Sequence, residues 1–164
     1  EDRMCGGNNL TIRLIPQSLW GKSRIKDSDY KKLKQLCFKR CNNTCEYCGY
    51  RGKCQELVMD KICDYDEESK TRTLKRLICS CKNCDDAVHM GRSRKENKYI
   101  DAREHFKKIT NCTNEQLIEH DRNTSKLWGK HNEIELIDDI SILTNSNVRI
   151  YQEFETKDKQ CSSC

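Results

Sequence analysis

The sequences Cys45-Glu46-Tyr47-Cys48-Gly49 and Cys81-Lys82-Asn83-Cys84 decide the fold of this chain. Each contains two cysteines separated by two residues, the spacing that directs two thiolates toward one metal ion. Gly49 allows the first turn to close tightly, with backbone amides directed at the sulfurs. Between Cys48 and Cys81 lie 32 residues, enough for one hairpin. The sequence therefore predicts a structural Zn²⁺ in a tetrahedral site made of Cys45, Cys48, Cys81 and Cys84.

The other cysteines are interpreted as small core residues. The chain has 13 cysteines, and an odd number clustered in C-x-x-C pairs argues against a secreted disulfide framework. Charged residues make up 35% of the chain, so its apolar core is small and a metal would add needed stability. Three further cysteines lie close enough in sequence to act as alternative ligands: Cys41, Cys54 and Cys79. Together with Cys37 and Cys63, they are better explained as buried side chains.

Cysteine usage also indicates the compartment. Thiolates must stay reduced to bind zinc, which favours a reducing compartment (cytoplasm, nucleus or organelle matrix) or association with a virus, and not secretion. Four Asn-x-Ser/Thr sequons begin at Asn9, Asn42, Asn111 and Asn123, and an Asn- and Lys-rich composition accounts for them. No apolar stretch is long enough for a membrane span, so no membrane partner is expected.

Positive charge is concentrated in one segment of the chain. Residues 20–53 contain ten basic and three acidic side chains, a net charge of +7 against +5 for the whole chain. Lys and Arg beside a metal site release counterions when they contact phosphates, so the segment predicts DNA or RNA binding. The alternative is a solvated helix face. The residues expected to contact phosphate are Lys22, Arg24, Lys31, Lys32, Lys34, Lys39, Arg40, Arg51 and Lys53.

Residue patterns predict an α+β fold. A strand over 10–15 ends at Pro16, and a helix capped by Ser28 or Asp29 runs to about Cys41. Its buried stripe is predicted to be Tyr30, Leu33, Cys37 and Cys41. The remaining predicted elements are strands over 57–63 and 73–79 joined by the loop 64–70, a helix from Asp85, a helix over 102–109, a helix opened by the capping box Thr113 to Gln116, and a strand over 148–154.

These elements are divided into three parts. Residues 1–100 form an N-terminal strand, a basic helix and a zinc core, and residues 101–154 form a helical extension packed on that core. Residues 155–164 are polar and are assigned to a disordered tail, although Cys161 and Cys164 form a third C-x-x-C pair with a possible redox role. The histidines His105, His120 and His131 are interpreted as isolated core or surface residues rather than ligands.

Cysteine pair, hairpin, cysteine pair and helix is the order of a treble-clef (ββα) zinc fold. The residues resemble one branch of the HNH-nuclease-like proteins of bacteria and phages, over roughly residues 14–140. The resemblance rests on both cysteine pairs, Tyr65-Asp66 before the second strand and His89-Met90-Gly91 after the last cysteine. Further matching residues are Leu14, Ile15, Pro16, Trp20, Arg24, Asp64, the stretch 74–77, Ala102, His105, Thr113 and Trp128.

The chain departs from this family at the catalytic positions. The resemblance implies a histidine as general base at the end of the first hairpin strand and a divalent cation held near the helix histidine. Asp60 stands at the base position, Lys61 follows where the family tends to have an acid, and Asp85 replaces a common histidine. Only His89 keeps the expected type. Aspartate, with an ordinary pKa near 3.9, is a much weaker base than histidine near 6.5.

Two interpretations of Asp60, Asp85 and His89 follow. They can bind Mg²⁺ or Mn²⁺ through two carboxylates and an imidazole, or Asp85 can cap a helix while His89 packs or assists near the zinc. The preferred function is a zinc-stabilised HNH-like nucleic-acid-binding protein, a catalytically impaired nuclease that serves as a binding or assembly module and can have protein partners in a nucleoprotein assembly. The alternatives are an active divalent-metal-dependent HNH-type endonuclease and a viral or organellar structural or inhibitory protein.

Overall fold

The computed structural model describes residues 10–20 and 25–144 of the chain. Its regular elements are α1 (Asp27–Arg40), β1 (Leu57–Asp66), β2 (Thr71–Cys81), α2 (Lys82–Val88), α3 (Met90–Lys95), α4 (Tyr99–Thr110), α5 (Asn114–Asn132), β3 (Ile137–Asp139) and α6 (Ser141–Thr144), with 3₁₀ turns at Gln17–Leu19 and Cys54–Glu56. The α+β class predicted from the sequence is confirmed. Predictions for Lys22, Arg24, the strand over 148–154 and the tail lie outside the described residues.

Within the described residues, the sheet has three strands in the order β1-β2-β3. β1 and β2 form an antiparallel hairpin with a register irregularity between Ile62 and Cys63. The strands continue beyond the predicted loop 64–70 and leave a turn of four residues, 67–70. Asp66 stabilises this turn, because its Oδ1 accepts hydrogen bonds from the amides of Glu68 and Ser69. β3 runs parallel to the start of β2 and was not predicted.

The strand predicted over 10–15 is wrong. This segment has no regular structure, although Leu10 and Ile12 are buried. Its amides bond elsewhere: Arg13 N donates to Val88 O at 2.9 Å, and Ile12 N donates to His120 Nε2 at 2.9 Å. Val88 O lies in the last turn of α2, where helix carbonyls lack helical partners, so the segment satisfies a helix end instead of joining the sheet.

The hairpin and the helices share one hydrophobic core. It includes Leu57 and Leu74 of the hairpin, Val88 of α2 and Phe106 of α4, all nearly fully buried. On α1 the buried residues are Leu33, Cys37 and Phe38. The predicted buried stripe was partly wrong, because Tyr30 is 37% exposed and Cys41 is only half-buried. The division into parts at residue 100 stays a prediction.

The helix ends follow local sequence signals. The capping box of α5 is confirmed: Thr113 Oγ1 accepts from Gln116 N, and Gln116 Oε1 accepts from Thr113 N. The predicted start of α2 at Asp85 is wrong by one turn, since Cys81 is its N-cap and its sulfur accepts from Cys84 N at 3.4 Å. Within the described ranges, no helix combines the length and apolarity needed to cross a membrane.

Candidate metal centre and adjoining cavity

The first cysteine pair lies in a tight turn after α1. Gly49 has a positive φ of 77°, and its amide donates to Cys45 O at 2.9 Å. This left-handed conformation favours glycine, as predicted, since a Cβ would be strained there. A bridge between Thr44 and Arg51 closes the base of the turn. The turn thus presents Cys45 and Cys48 on one side of the candidate metal centre.

Glu46 fastens this turn to the hairpin. Its amide donates to Cys79 O at 2.9 Å, and its Oε2 accepts from Cys79 N at 2.7 Å. Its carboxylate also pairs with Arg40 at 2.7 Å and Arg76 at 2.8 Å. Because β2 leads directly into α2, this connection holds the first cysteine pair opposite Cys81 and Cys84.

The four cysteines can hold a zinc ion. Their sulfurs lie within 4.8 Å of one another. With Zn–S bonds of about 2.3 Å, a tetrahedral site requires sulfurs about 3.8 Å apart, and Cys48 Sγ lies 3.7 Å from Cys81 Sγ. Hydrogen bonds from the thiols of Cys81 and Cys84 lower the pKa of Cys45 despite its burial. Hydrogen bonding to Cys45 and Cys81, with burial, raises the pKa of Cys84.

The cysteines outside this centre have varied environments. Cys37 and Cys79 are buried and Cys41 and Cys63 are half-buried, close to the prediction. Cys54 is exposed, so its assignment to the core was wrong. It lies in the 3₁₀ turn that leads from the first cysteine pair into β1, where the chain crosses the surface. Among the described residues, no cysteine outside Cys45, Cys48, Cys81 and Cys84 joins the metal-binding group.

The isolated histidines each have a structural partner. His105 Nε2 of α4 lies 3.1 Å from Cys84 Sγ, a contact of the kind that orients a metal-bound thiolate. His120 stacks on Phe106 and accepts the Ile12 amide. His131 is buried and stacks on the Tyr65 ring at 4.6 Å. The contact of His105 could not be read from the sequence, because α4 approaches α2 only in the folded chain.

Asp60, Asp85 and His89 come together beside the cysteine centre. One ligand atom from each lies within 4.8 Å of the others. His89 Nε2 lies 3.4 Å from Asp60 Oδ1 and 3.5 Å from Asp85 Oδ1. β1 supplies Asp60, α2 supplies Asp85, and His89 occupies the junction of α2 and α3. The side chains are only 10–18% exposed. The sequence thus identified residues that the fold brings into one cluster.

An arginine neutralises each carboxylate of this cluster. Arg13 pairs with Asp60 Oδ2 and also donates to Tyr47 Oη at 2.7 Å. Arg92 pairs with Asp85 Oδ2 at 2.6 Å. Burial raises the pKa of Asp60, but its hydrogen bond with His89 and the charge of Arg13 outweigh burial and lower the pKa below its ordinary value. Asp60 is therefore an ionised and weakly basic group.

A cavity of about 710 Å³ adjoins this cluster. Its walls come from the segment 13–20, α3 and α5. Its cationic residues are Arg13, Arg92, Arg94 and Lys95, its aromatic residues are Trp20 and Trp128, and His89 connects it to the carboxylates. Sequence analysis missed these cations. The run Arg92-Ser93-Arg94-Lys95 directly after His89-Met90-Gly91 was the available signal.

The predicted phosphate contacts lie elsewhere. Of the described residues in that set, Lys31, Lys32, Lys39, Arg51 and Lys53 are exposed, whereas Lys34 and Arg40 are half-buried. Arg40 is engaged by Glu46, and none of the described residues in the set lines the cavity. On α1, burial and the charges of Asp85 and Asp60 raise the pKa of Tyr30. The role of the predicted basic residues in nucleic-acid binding stays a prediction.

Comparison of the chain with models of known protein families, with characterised proteins and with solved structures yields no significant match. The HNH-like resemblance therefore depends on the residues quoted above.

Proposed function

We propose that this chain is a zinc-stabilised nucleic-acid-binding protein with an HNH-like treble-clef core and an impaired catalytic site. The observation that carries the proposal is the cavity, in which four cationic side chains and two tryptophans adjoin a carboxylate cluster. Arg and Lys bind phosphates, and indole rings stack on bases. The cysteine centre supports the proposal by holding α2, which carries Asp85 and leads to His89, against the hairpin that carries Asp60.

The arginine pairs favour binding over catalysis. Arg13 and Arg92 supply the positive charge that a divalent cation would bring to Asp60 and Asp85. The lowered pKa of Asp60 also makes it a poor general base at neutral pH. General-base catalysis is typically worth about 10²- to 10⁴-fold in rate, and most of that contribution would be missing. Phosphate contacts do not require such a base.

Fluorescence anisotropy with labelled DNA and RNA tests this function through its salt dependence. Arg92, Arg94 and Lys95 are exposed, and three phosphate contacts predict that affinity for a single strand falls about 20-fold between about 50 and 200 mM salt. Lys95→Ala should weaken binding and reduce the salt slope by about 0.7, because one contact is lost. Lys75→Ala is the matched control, since Lys75 is an exposed lysine of β2 outside the cavity. Absent or salt-insensitive binding to every DNA and RNA would refute the proposal.

A second candidate function is a divalent-metal-dependent endonuclease. The observation that favours it is that the two oxygens of each carboxylate have different partners. In both Asp60 and Asp85, Oδ2 contacts an arginine and Oδ1 faces His89. Asp60 Oδ1, Asp85 Oδ1 and His89 Nε2 would be the ligands of Mg²⁺ or Mn²⁺. The cation would stabilise charge that develops on a phosphodiester.

Plasmid nicking separates the two candidates. An active nuclease would cut with Mg²⁺ or Mn²⁺, stop in EDTA and lose cutting in His89→Ala. The impaired site predicts no cutting by the natural chain and gain of cutting in Asp60→His, because an imidazole would restore a base near neutral pH. Cutting that persists in His89→Ala would indicate a contaminating nuclease and exclude this cluster as its source.

A further inference from the structure

We infer that the cavity binds single-stranded nucleic acid, with a base stacked on Trp20 and a second contact from Trp128. This inference deepens the proposed function and rests on it. A positively charged recess with aromatic walls is the arrangement that binds single strands without reading their sequence. The argument depends on how the two indoles are held, on the charge around them and on the difference between single strands and duplexes.

Both indoles are anchored to the same backbone atom. Trp20 Nε1 donates to Ile15 O at 3.0 Å, and Trp128 Nε1 donates to the same oxygen at 3.1 Å. Their polar edges are therefore satisfied within the protein. Trp20 nevertheless remains 55% exposed. A ring that served only the stability of the fold would be expected to be buried, because burial of its large apolar surface is stabilising. What the anchored rings offer to a ligand is apolar aromatic surface.

The charge around the indoles complements phosphate. Among the described residues, those that line the cavity include four cations and no aspartate or glutamate. Lys95 Nζ lies 5.4 Å from the centre of the Trp20 ring, so a cation accompanies the aromatic surface. Arg92 pairs with Asp85 and Arg94 pairs with Asp121. The two arginine side chains nevertheless remain 44% and 39% exposed and keep N–H donors available. A strand of nucleotides presents base faces to aromatic rings and phosphates to cations.

Stacking distinguishes a single strand from a duplex. In a duplex the faces of the bases are covered by neighbouring bases, and exposing one requires unpairing and unstacking. A single strand offers its base faces without that cost. The strand, DNA or RNA, is therefore the preferred ligand, and a duplex can only place its phosphates at the rim.

Intrinsic fluorescence provides a probe of this cavity alone. The chain has two tryptophans, Trp20 and Trp128, and both line it. Single-stranded DNA and RNA oligonucleotides should quench the emission and bind about tenfold more tightly than duplexes of the same sequence, the scale of one base–aromatic stack. Trp20→Ala should weaken strand binding by about 5- to 150-fold, the range for loss of one base–aromatic stack. Trp20→Phe should keep most of the affinity, since it retains an aromatic face.

Tyr50→Ala serves as the matched control. Tyr50 is 46% exposed and lies outside the cavity, so strand affinity should not change. Duplex binding as tight as strand binding would overturn the inference, as would strand binding that neither quenches emission nor responds to Trp20→Ala. Both results leave salt-dependent binding, and hence the proposed function, in place. Absence of binding to any nucleic acid overturns both.

Discussion

Cys84→Ser will abolish zinc binding and cooperative folding, whereas Cys54→Ser will change neither. Cys84 is fully buried and belongs to the cysteine centre, while Cys54 is exposed and lies outside it. A structural zinc contributes an apparent free energy of about 10–16 kcal/mol near neutral pH. The total free energy of unfolding of a domain is about 5–15 kcal/mol. Loss of the metal therefore removes a free energy as large as the total free energy of unfolding of the domain.

The connections around the centre explain why the loss would spread. The first cysteine pair is tied to β2 through Glu46, and Cys81 caps α2. Without the metal, no ion bridges the four thiols, and the connection between the two turns depends on the contacts of Glu46. His105 of α4 would also lose its contact with the sulfur of Cys84.

Zinc content and thermal unfolding measure this expectation. The purified natural chain should contain one zinc per molecule by elemental analysis and unfold in a single transition followed by circular dichroism. Cys84→Ser should contain none and show no transition, and a strong chelator should have the same effect on the natural chain. A natural chain without zinc that still unfolds cooperatively would contradict the structural role of the metal.

Loss of the Arg72–Asp138 ion pair is expected to have the second-largest effect. Arg72 Nε and Nη2 donate to the two carboxylate oxygens of Asp138 at 2.7 and 2.6 Å. The side chains are only 7% and 1% exposed. Hydrogen bonding and the charge of Asp138 raise the pKa of Arg72 despite burial. The pair links β2 to β3, the parallel strand at the edge of the sheet.

Asp138→Ala should lower the free energy of unfolding by about 3–5 kcal/mol, because it leaves the charge of Arg72 buried and unpaired. Removing both partners, in Arg72→Met/Asp138→Leu, should restore much of the loss, since no buried charge remains. Urea unfolding of the three chains measures both effects.

Asp64→Ala provides the control within the same hairpin. Asp64 and Lys75 form an exposed pair at 3.7 Å, with side chains 71% and 54% exposed. Its removal should change the free energy of unfolding by no more than about 0.5 kcal/mol. An effect of Asp138→Ala as small as that of Asp64→Ala would show that β3 contributes little to the stability of the sheet.

Local sequence determined the cysteine centre and most of the regular elements. The C-x-x-C spacing, Gly49 after the second cysteine and the capping box at Thr113 act over three or four residues, so their geometry follows from nearby atoms. Asp60, Asp85 and His89 were also identified in advance, since the resemblance placed them relative to the cysteines. The longer hairpin strands and the early start of α2 show that the ends of elements are less well determined.

Tertiary structure alone decided what surrounds that cluster. Arg13 reaches Asp60 across 47 positions of sequence, and Trp20 and Trp128 meet at Ile15 O. The segment 10–15 has the alternation of a strand, but its amides bond to a carbonyl at the end of α2 and to the imidazole of His120, and these partners are supplied by tertiary packing. Which charges pair and which residues line a cavity depend on how segments distant in sequence pack together. No local pattern of residues encodes that packing.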